Sequence, residues 1–438
     1  MKNARDIAVD ALTAFRKRQA WSDGFLRNEI RANELSGRDA ALATELVNGV
    51  LQNMFLLDFY ISKFSSIRLN KISPGILDII RLSVYQILFL DRIPDSAAVN
   101  DAVNRAKRSN KRAAGFVNAI TRKISASKDC LPEITGSFSE VLSVKYSHPV
   151  WMVDELINIY GREETEHILS SDNERSRTVI RINTLKTTYE KLCDFVSDEN
   201  TQLEKGLVEN SAYIRFSGAL DKNEAFARGL FHVQDSASQI AALTLAPKEN
   251  TRVLDACAAP GGKSFLLAQL MKNTGKIISC DIHEHKLPLI SDGAKRLGID
   301  TITPRVCDAS QFLPEFEEKF DYILADVPCS GLGIIRKKPD IRYKKQEDII
   351  ELPDIQFKIL SNLSRYLKKG GTLLYSTCTI LPRENNEVIA RFLKNNGEFY
   401  EEKEYMDIPC KSNDFGITLL PYISNTDGFY ICKLRRKK

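Results

Sequence analysis

From Thr251 onward, short apolar segments alternate with amphipathic ones, and this alternation limits the fold more than any other feature of the chain. The apolar, strand-like segments are 252–256, 276–281, 302–307, 322–326 and 372–376. The segments with helical periodicity are 263–271, 285–297, 348–367 and 386–393. This order predicts a mostly parallel sheet with helices on both faces and right-handed connections. Ligands of such doubly wound folds bind at the carboxyl ends of the strands, where we therefore look for a site.

The first three strand ends carry glycines and acids. The segment 255–263 reads DACAAPGGK, in which Gly261 and Gly262 allow a ligand to approach the backbone ahead of a helix N-terminus. The dinucleotide and P-loop glycine patterns are absent, which favours a nucleoside cofactor without a pyrophosphate. Asp281 follows Gly261 by 20 residues and is placed for ribose hydroxyls, and Asp308 for an adenine amino group. Either acid alone is often only a helix cap, so the ordered set carries the prediction.

The fourth and fifth strand ends each carry a cysteine, Cys329 in 326–331 and Cys378 in 375–379. A lone cysteine is usually a small buried residue, and the other seven cysteines are interpreted in that way. A thiol beside a methyl donor suits methylation at C5 of a pyrimidine, because thiolate addition to C6 activates C5 and a base then removes the C5 proton. Asp326 is placed to hydrogen-bond the N3/N4 edge of that base, which must be unstacked to be reached.

Composition limits the class of protein and its cellular environment. The chain has 438 residues, which suggests about three domains. Its 62 Lys and Arg against 57 Asp and Glu give a net charge of +5, which permits a nucleic-acid partner without requiring one. Apolar runs are too short for a membrane helix, and the N-terminus lacks a signal-peptide core, so we expect a cytoplasmic protein with no membrane partner. Nine cysteines without a C-x-x-C pair, and only five histidines, predict reduced thiols and no metal site.

The first 128 residues show helical periodicity throughout. The segment 105–128 contains eight Lys and Arg and no acid, and is interpreted as a basic helix that faces phosphates, with an ordinary solvated face as the alternative. The same two interpretations apply to Arg336-Lys337-Lys338. Residues 129–145 have the composition of a linker, and 146–239 mix helix and strand as in a small α+β domain.

Three motifs in order, 255–263, 326–331 and 376–378, resemble those of the Sun/Fmu/NOL-Nop2 group of cytosine-5 RNA methyltransferases. The resemblance implies a Rossmann-like domain that uses S-adenosylmethionine, with Cys378 attacking the base and Cys329 assisting release. It also implies a cofactor site made of Cys257, Ala258, Ala259, Pro260, Gly261, Gly262, Lys263, Asp281, Asp308 and Asp326. The sequence does not decide whether Lys263 points at the base or at the cofactor. Leu332 and the run Arg383-Glu-Asn-Asn depart from the family pattern, which affects fine substrate contacts more than reaction class.

The first 128 residues resemble the RNA-binding antitermination factor NusB, and the segments 146–151, 181–186 and 233–238 resemble the family's ferredoxin/RRM-like module. The predicted organisation is a NusB-like all-α domain at 1–130, a ferredoxin-like α+β module at 140–240 and a Rossmann-like α/β methyltransferase domain at 241–438. This combination is similar to bacterial enzymes that make 5-methylcytosine in 16S ribosomal RNA, and it implies a monomer that acts on a single-stranded or loop cytosine. Two alternatives remain open: the same chemistry on transfer RNA or 23S RNA, and a non-catalytic ribosome assembly factor that binds RNA.

Overall fold

The computed structural model describes residues 2–18, 22–35, 37–196, 201–216, 220 and 223–438. The chain divides into two compact units. The first comprises 1–174 together with 338–344, and the second comprises 175–337 together with 345–438. The order of elements agrees with the predicted architecture: an all-helical part, then a small α+β part, then an α/β part with a mostly parallel sheet.

The described part of the first unit is helical. Its helices are α1 (Ala4–Arg18), α2 (Ser22–Ala32), α3 (Gly37–Gln52), α4 (Met54–Phe64), α5 (Pro74–Phe89), α6 (Asp95–Ser109), α7 (Ala114–Ala126), α8 (Phe138–Tyr146), α9 (Val150–Tyr160) and α10 (Arg162–Ser171). Apolar residues at helical spacing, such as Leu46, Ile80 and Val117, form one buried core among α1–α7. No single described helix has the length and apolar character to cross a membrane, and only the pair α3 and α4, bent by 75°, passes that test together.

The basic segment 105–128 is not one helix, so that prediction was wrong. It is the end of α6 and the whole of α7, and the chain between them is extended at Asn110, whose side chain accepts a hydrogen bond from the Arg112 backbone. Arg105 is buried and pairs with Asp101, 2.7 Å away and one turn earlier, and with Asp6 of α1. Asp6 and Asp101 both lie outside the segment 105–128, so the sequence of that segment alone showed no acid that could pair with Arg105.

The predicted linker 129–145 was also wrong in its second half. The Ser137 hydroxyl accepts a hydrogen bond from the Glu140 backbone N–H at the start of α8, and the Glu140 carboxylate accepts one from the Ser137 backbone N–H. This reciprocal arrangement satisfies two backbone donors at the start of the helix. The pair Gly136-Ser137 therefore starts a helix.

A short segment, 338–344, belongs to the first unit although its neighbours in the sequence belong to the second. The guanidinium of Arg342 is fully buried and donates hydrogen bonds to the carbonyl oxygens of Gln52 at 2.7 Å and Tyr146 at 3.1 Å, and to Asn173. Burial lowers the pKa of Arg342 from its ordinary value. The hydroxyl of Tyr343 donates to the Leu51 carbonyl. The segment thus acts as a structural part of the helical unit.

The second unit contains two sheets. The smaller is antiparallel, in the order β2-β3-β1-β4, and its strands are β1 (Val179–Ile182), β2 (Thr201–Lys205), β3 (Ser211–Phe216) and β4 (Phe231–Val233). Two helices accompany it, α11 (Tyr189–Phe195) and α12 (Glu224–Ala227). Ile180, Ala212 and Phe231 are among the buried residues of its core.

The larger sheet has the order β11-β12-β13-β9-β8-β5-β6-β7, with β10 paired to β13. Its strands are β5 (Arg252–Asp255), β6 (Lys276–Asp281), β7 (Ile302–Val306), β8 (Phe320–Asp326), β9 (Leu367–Thr377), β10 (Phe399–Glu401), β11 (Lys411–Ser412), β12 (Ile417–Leu419) and β13 (Phe429–Arg436). Its helices are α13 (Ser236–Leu245), α14 (Gly262–Leu270), α15 (Leu287–Leu297), α16 (Leu352–Ser364), α17 (Asn386–Asn395) and α18 (Pro421–Ser424). The strands β5–β9 run parallel, as predicted, and β13 pairs with β9 in the antiparallel direction.

The predicted helix 348–367 is shorter at both ends. It begins at Leu352, where Pro353 lies in the first turn, and ends at Ser364. Leu367 already pairs with Phe320 as the first residue of β9. Proline suits the first turn of a helix because its missing N–H has no partner to lose there.

Candidate active site

The first strand end forms a tight loop between β5 and α14. Gly261 has φ +110°, and a Cβ there would lie 2.6 Å from the Phe265 ring. A Cβ on Gly262 would lie 3.1 Å from His232 Nε2. The Ala258 backbone N–H donates to the Cys280 carbonyl at 2.7 Å and so fixes the loop against β6. Glycine is therefore required at 261, where φ is positive and the Phe265 ring leaves no space for a Cβ, and the missing side chain at 262 keeps the start of α14 clear of His232.

Asp281 is the last residue of β6, which pairs with β5, and Asp308 follows β7, which pairs with β6. One oxygen of Asp281 accepts the His283 N–H at 2.9 Å, and one of Asp308 accepts the Ser310 N–H at 2.9 Å. Lys286 Nζ lies 3.9 Å from Asp281. The three predicted cofactor elements thus meet at neighbouring strand ends, and their individual roles stay predictions.

Asp255 is a residue that the sequence reasoning quoted but did not assign. Its carboxylate is buried at the end of β5 and accepts a hydrogen bond from Ser264 Oγ at 2.6 Å, and Ser264 also lies 2.7 Å from Ser279 Oγ. The other carboxylate oxygen of Asp255 is buried with no hydrogen-bond partner among the described residues. Burial raises the pKa of Asp255 to about 7. The sequence pattern that could have pointed to Asp255 is an acidic residue at the last position of an apolar strand.

Lys263 and Asp326 face each other across the site. Lys263 Nζ donates to Asp326 Oδ2 at 2.7 Å, and Ser376 Oγ donates to Asp326 Oδ1 at 2.7 Å. Lys263 Nζ also lies 5.1 Å from the centre of the Phe429 ring. Burial opposes the charge of Lys263, but Asp326 outweighs it and the pKa of Lys263 is raised. The site therefore holds an ammonium group whose nearest anion is the predicted base-binding acid.

The two predicted catalytic cysteines lie together, with Cys329 Sγ 3.3 Å from Cys378 Sγ. The hydrogen bond to Cys378 and burial raise the pKa of Cys329 well above its ordinary value. Electrostatic interaction with Cys378 adds to the effect of Asp326 in raising the pKa of Lys263. Either thiol can donate the hydrogen bond between the two sulfurs.

The loop that carries Cys329 is held on both sides of the thiol. The Pro328 carbonyl accepts from Gln356 Nε2 at 3.0 Å, and the Ser330 N–H donates to Glu384 at 2.8 Å. Ser330 Oγ also donates to Thr379 Oγ1 at 2.8 Å. Sequence reasoning missed Gln356 and Glu384, because each lies on an element between or beyond the motifs and nothing local marks it.

A cavity of ≈ 200 Å³ lies at the first strand end. It is lined by Asp255, Lys263, Asp326, most of the loop 257–262, and residues 232–235 and 238. Burial and Arg296 lower the pKa of His232 to about 4, so this lining histidine is neutral near pH 7. The cavity thus joins the predicted cofactor loop to the Lys263–Asp326 pair.

The basic cluster 336–338 is not the free cationic surface that the sequence suggested. Arg336 Nε lies 3.2 Å from Asp427, and the side chain of Arg336 is only 8% exposed. Lys337 Nζ lies 2.8 Å from Asp427 and also pairs with Asp235. These ion pairs hold the loop against α13 and β13, and both acids come from distant sequence.

The described residues contain no group of three His, Cys, Asp or Glu side chains arranged for a metal.

Family models match all three predicted parts. Residues 242–435 match the 16S rRNA methyltransferase RsmB/F model, 2–126 match the NusB family, and 148–214 match the ferredoxin-like domain of RsmF/B-like methyltransferases. Together with the sheet order, these matches define the class as a Rossmann-like methyltransferase joined to NusB and ferredoxin-like domains.

A probable ribosomal RNA small subunit methyltransferase B from Bacillus subtilis (strain 168) is 40% identical over 99% of this chain and 99% of its own. The chain therefore belongs to the ribosomal RNA small subunit methyltransferase B (RsmB) family. The crystal structure of the protein PH0851 superposes with a TM-score of 0.82, at 28% identity over 99% of this chain and 97% of that one. NSun6 from Pyrococcus horikoshii, solved with SFG, has a TM-score of 0.61 at 23% identity, covers 66% of this chain and 98% of its own, and shares the fold.

Proposed function

We propose that this protein transfers a methyl group from S-adenosylmethionine to C5 of a cytosine in 16S ribosomal RNA, through a covalent bond between Cys378 and C6. The observation that carries the proposal is the 3.3 Å approach of the Cys329 and Cys378 sulfurs. The Lys263–Asp326 pair beside them supplies the charges that such chemistry needs. Family membership supports the methyl donor and the ribosomal RNA substrate.

The first strand end fits the nucleoside part of the donor. Room above Gly262, the N–H groups at the start of α14 and the acids Asp281 and Asp308 are the features that an adenosine group requires. The unpartnered oxygen of Asp255 adds a polar atom at the same cavity. When bound there, S-adenosylmethionine supplies an electrophilic methyl group.

The chain's own residues prepare the base. Cys378 is the nucleophile, because the Lys263 ammonium stabilises its thiolate and the Cys329 thiol donates to it. Asp326, fixed by Lys263 and Ser376, is oriented to hydrogen-bond the N3/N4 edge of the cytosine. Cys329 removes the C5 proton after methyl transfer, which lets Cys378 leave.

The helical unit supplies a surface for the RNA backbone. Exposed cations remain at the end of α6, in the turn that follows it and on α7; they are Lys107, Arg108, Lys111, Arg112, Arg122 and Lys123. Contacts with phosphates position RNA without reading its sequence, so the target cytosine is selected by being unpaired and unstacked. We place this activity in the cytoplasm and on a monomer.

Bisulfite sequencing of total RNA, with and without the gene, tests the substrate. Loss of one protected cytosine in 16S RNA is the expected result. Loss of a protected cytosine from transfer RNA or 23S RNA would support the same reaction on a different RNA. No lost site would favour a non-catalytic assembly factor.

Cysteine variants test the mechanism. Cys378→Ala should abolish turnover and give no covalent protein–RNA adduct on a denaturing gel. Cys329→Ala should accumulate the adduct, because the C5 proton is not removed and the C6–sulfur bond persists. An exchange of these two outcomes would make Cys329 the nucleophile and overturn the assignment of roles.

A further inference from the structure

Glu384 is a buried carboxylate beside the cysteine pair that the proposed chemistry does not yet use. Its side chain is 0% exposed. Oε2 accepts two hydrogen bonds, from the Ser330 N–H at 2.8 Å and from Gln356 Nε2 at 2.9 Å. Oε1 is buried and has no hydrogen-bond partner among the described residues. Burial of a carboxylate without a cation is costly, so a purely structural role is better filled by a neutral glutamine.

Glu384 holds the loop whose thiol, Cys329, must change its protonation state in the proposed reaction. It binds the backbone of Ser330, the residue after Cys329, while its partner Gln356 binds the carbonyl of Pro328, the residue before. The Glu384 charge adds to the hydrogen bond from Cys378 and to burial in raising the pKa of Cys329. Glu384 is therefore coupled to Cys329 both through the loop and through electrostatics.

The proposed reaction requires a proton acceptor beyond the two cysteines. At the start Cys378 is a thiolate and Cys329 is a thiol. Cys378 bonds to C6, and C5 takes the methyl group, so that C5 then carries both a methyl group and a hydrogen. Cys329 still holds its own proton and cannot take the C5 proton until it loses it. Another group near Cys329 must accept that first proton.

We propose that Glu384 is a positioning residue for Cys329 that accepts its proton during turnover. This inference rests on the proposed function. The Cys329 S–H bond breaks and a Glu384 O–H bond forms. The Cys329 thiolate then takes the C5 proton, the C5–H electrons form the C5–C6 double bond, and the C6–sulfur electrons leave with Cys378 as thiolate. Glu384 returns its proton to water, so one proton is released for each methyl group transferred.

The substitution Glu384→Gln separates charge from shape. A glutamine oxygen can still accept from Ser330 and Gln356, so the loop stays held while the proton acceptor is lost. We expect turnover to fall about 100-fold, as is usual for loss of an acid–base group, and the covalent adduct to accumulate on a denaturing gel with a methylated base. Glu384→Asp, which keeps the charge, should recover part of the turnover and reduce the adduct.

Glu387→Gln is the matched control, since Glu387 is exposed on α17, three residues away. It should leave both turnover and adduct unchanged. Wild-type turnover in Glu384→Gln without adduct would overturn the inference. Lost turnover without adduct, at unchanged melting temperature and donor affinity, would also overturn it and leave Glu384 a role in holding the loop only. If Cys329→Ala itself traps no adduct, the proposed mechanism fails, which separates that failure from failure of the Glu384 role.

Discussion

Lys263 Nζ lies 2.7 Å from Asp326 Oδ2, which joins the end of the glycine loop to the strand end that precedes Cys329. The Lys263 ammonium lies 5.1 Å from the centre of the Phe429 ring and interacts electrostatically with Cys378. A neutral side chain at 263 would remove the ammonium from Asp326 and from the surroundings of Cys378. One contact thus links the predicted cofactor loop to the proposed nucleophile.

We therefore expect Lys263→Met to slow attack by Cys378. A rise of one pKa unit lowers the thiolate fraction near pH 7 about tenfold, and the loss of the ammonium should produce at least that change. The rate of Cys378 alkylation by iodoacetamide, followed against pH in a Cys329→Ala background, measures it directly. Lys263→Arg keeps the charge and should stay closer to wild type. An unchanged alkylation profile in Lys263→Met would remove Lys263 from the activation of Cys378.

Asp255 should make stability depend on pH. Its pKa is raised from 3.8 to about 7 in the folded protein, so between these values the unfolded chain ionises while the folded state keeps the proton. Stability contributed by this group is complete below about pH 4 and falls as the pH rises towards about 7, by about 4 kcal/mol over the window.

Chemical unfolding of wild type and Asp255→Asn at pH 5 and pH 7.5 measures this difference. The wild type should lose more stability than the variant over that interval. Asp292→Asn, at an exposed position on α15, is the control and should follow the wild type. Parallel pH profiles for wild type and Asp255→Asn would contradict a buried acid with a raised pKa.

Substitutions of two neighbouring arginines of α6 should differ in their effects on stability and on RNA binding. Arg105 is 5% exposed and is held by Asp101 and Asp6, whereas the Arg108 side chain is 64% exposed. Arg105→Ala removes the nearest cation of both acids, leaving Asp6 with Arg108 at 3.5 Å and Asp101 with Arg5 at 3.9 Å, and should cost about 3 kcal/mol in the free energy of unfolding. Arg108→Ala should change stability by less than about 0.5 kcal/mol and weaken RNA binding.

Salt dependence of RNA affinity distinguishes the two. The slope of log affinity against log salt should fall by about 1 in Arg108→Ala, because one phosphate contact is lost. It should be unchanged in Arg105→Ala at temperatures where that variant is folded. A reduced slope in Arg105→Ala alone would restore the sequence-based interpretation of Arg105 as a phosphate-facing residue.

The strand ends were predictable because parallel strands place their carboxyl ends along one edge of the sheet. Residues as distant as Gly261, Asp326 and Cys378 could therefore be assigned to one crevice from periodicity and motif order. The choice of Cys329 and Cys378 among nine cysteines as the candidate reactive residues followed from the same placement together with family resemblance.

Contacts that depend on packing between elements were not predictable. Arg336 and Lys337 looked like a free basic cluster, because Asp235 and Asp427 are about a hundred residues away in the chain. Glu384 was noted only as part of a run that departs from the family pattern, although its side chain is fully buried against the Cys329 loop. No local pattern marks a side chain whose partners come from two distant segments.

The closeness of the Cys329 and Cys378 thiols gives a last prediction that needs no RNA. Sulfurs 3.3 Å apart should form a disulfide when the protein is treated with diamide, which oxidises two thiols to one disulfide and is itself reduced to a hydrazine. Peptide mapping should find Cys329 joined to Cys378, with loss of methyltransferase activity that dithiothreitol restores. Cys410, which is part-buried elsewhere in the same unit, should stay a free thiol and serves as an internal control. Preferential pairing of Cys329 or Cys378 with any other cysteine would contradict the arrangement on which the proposed chemistry depends.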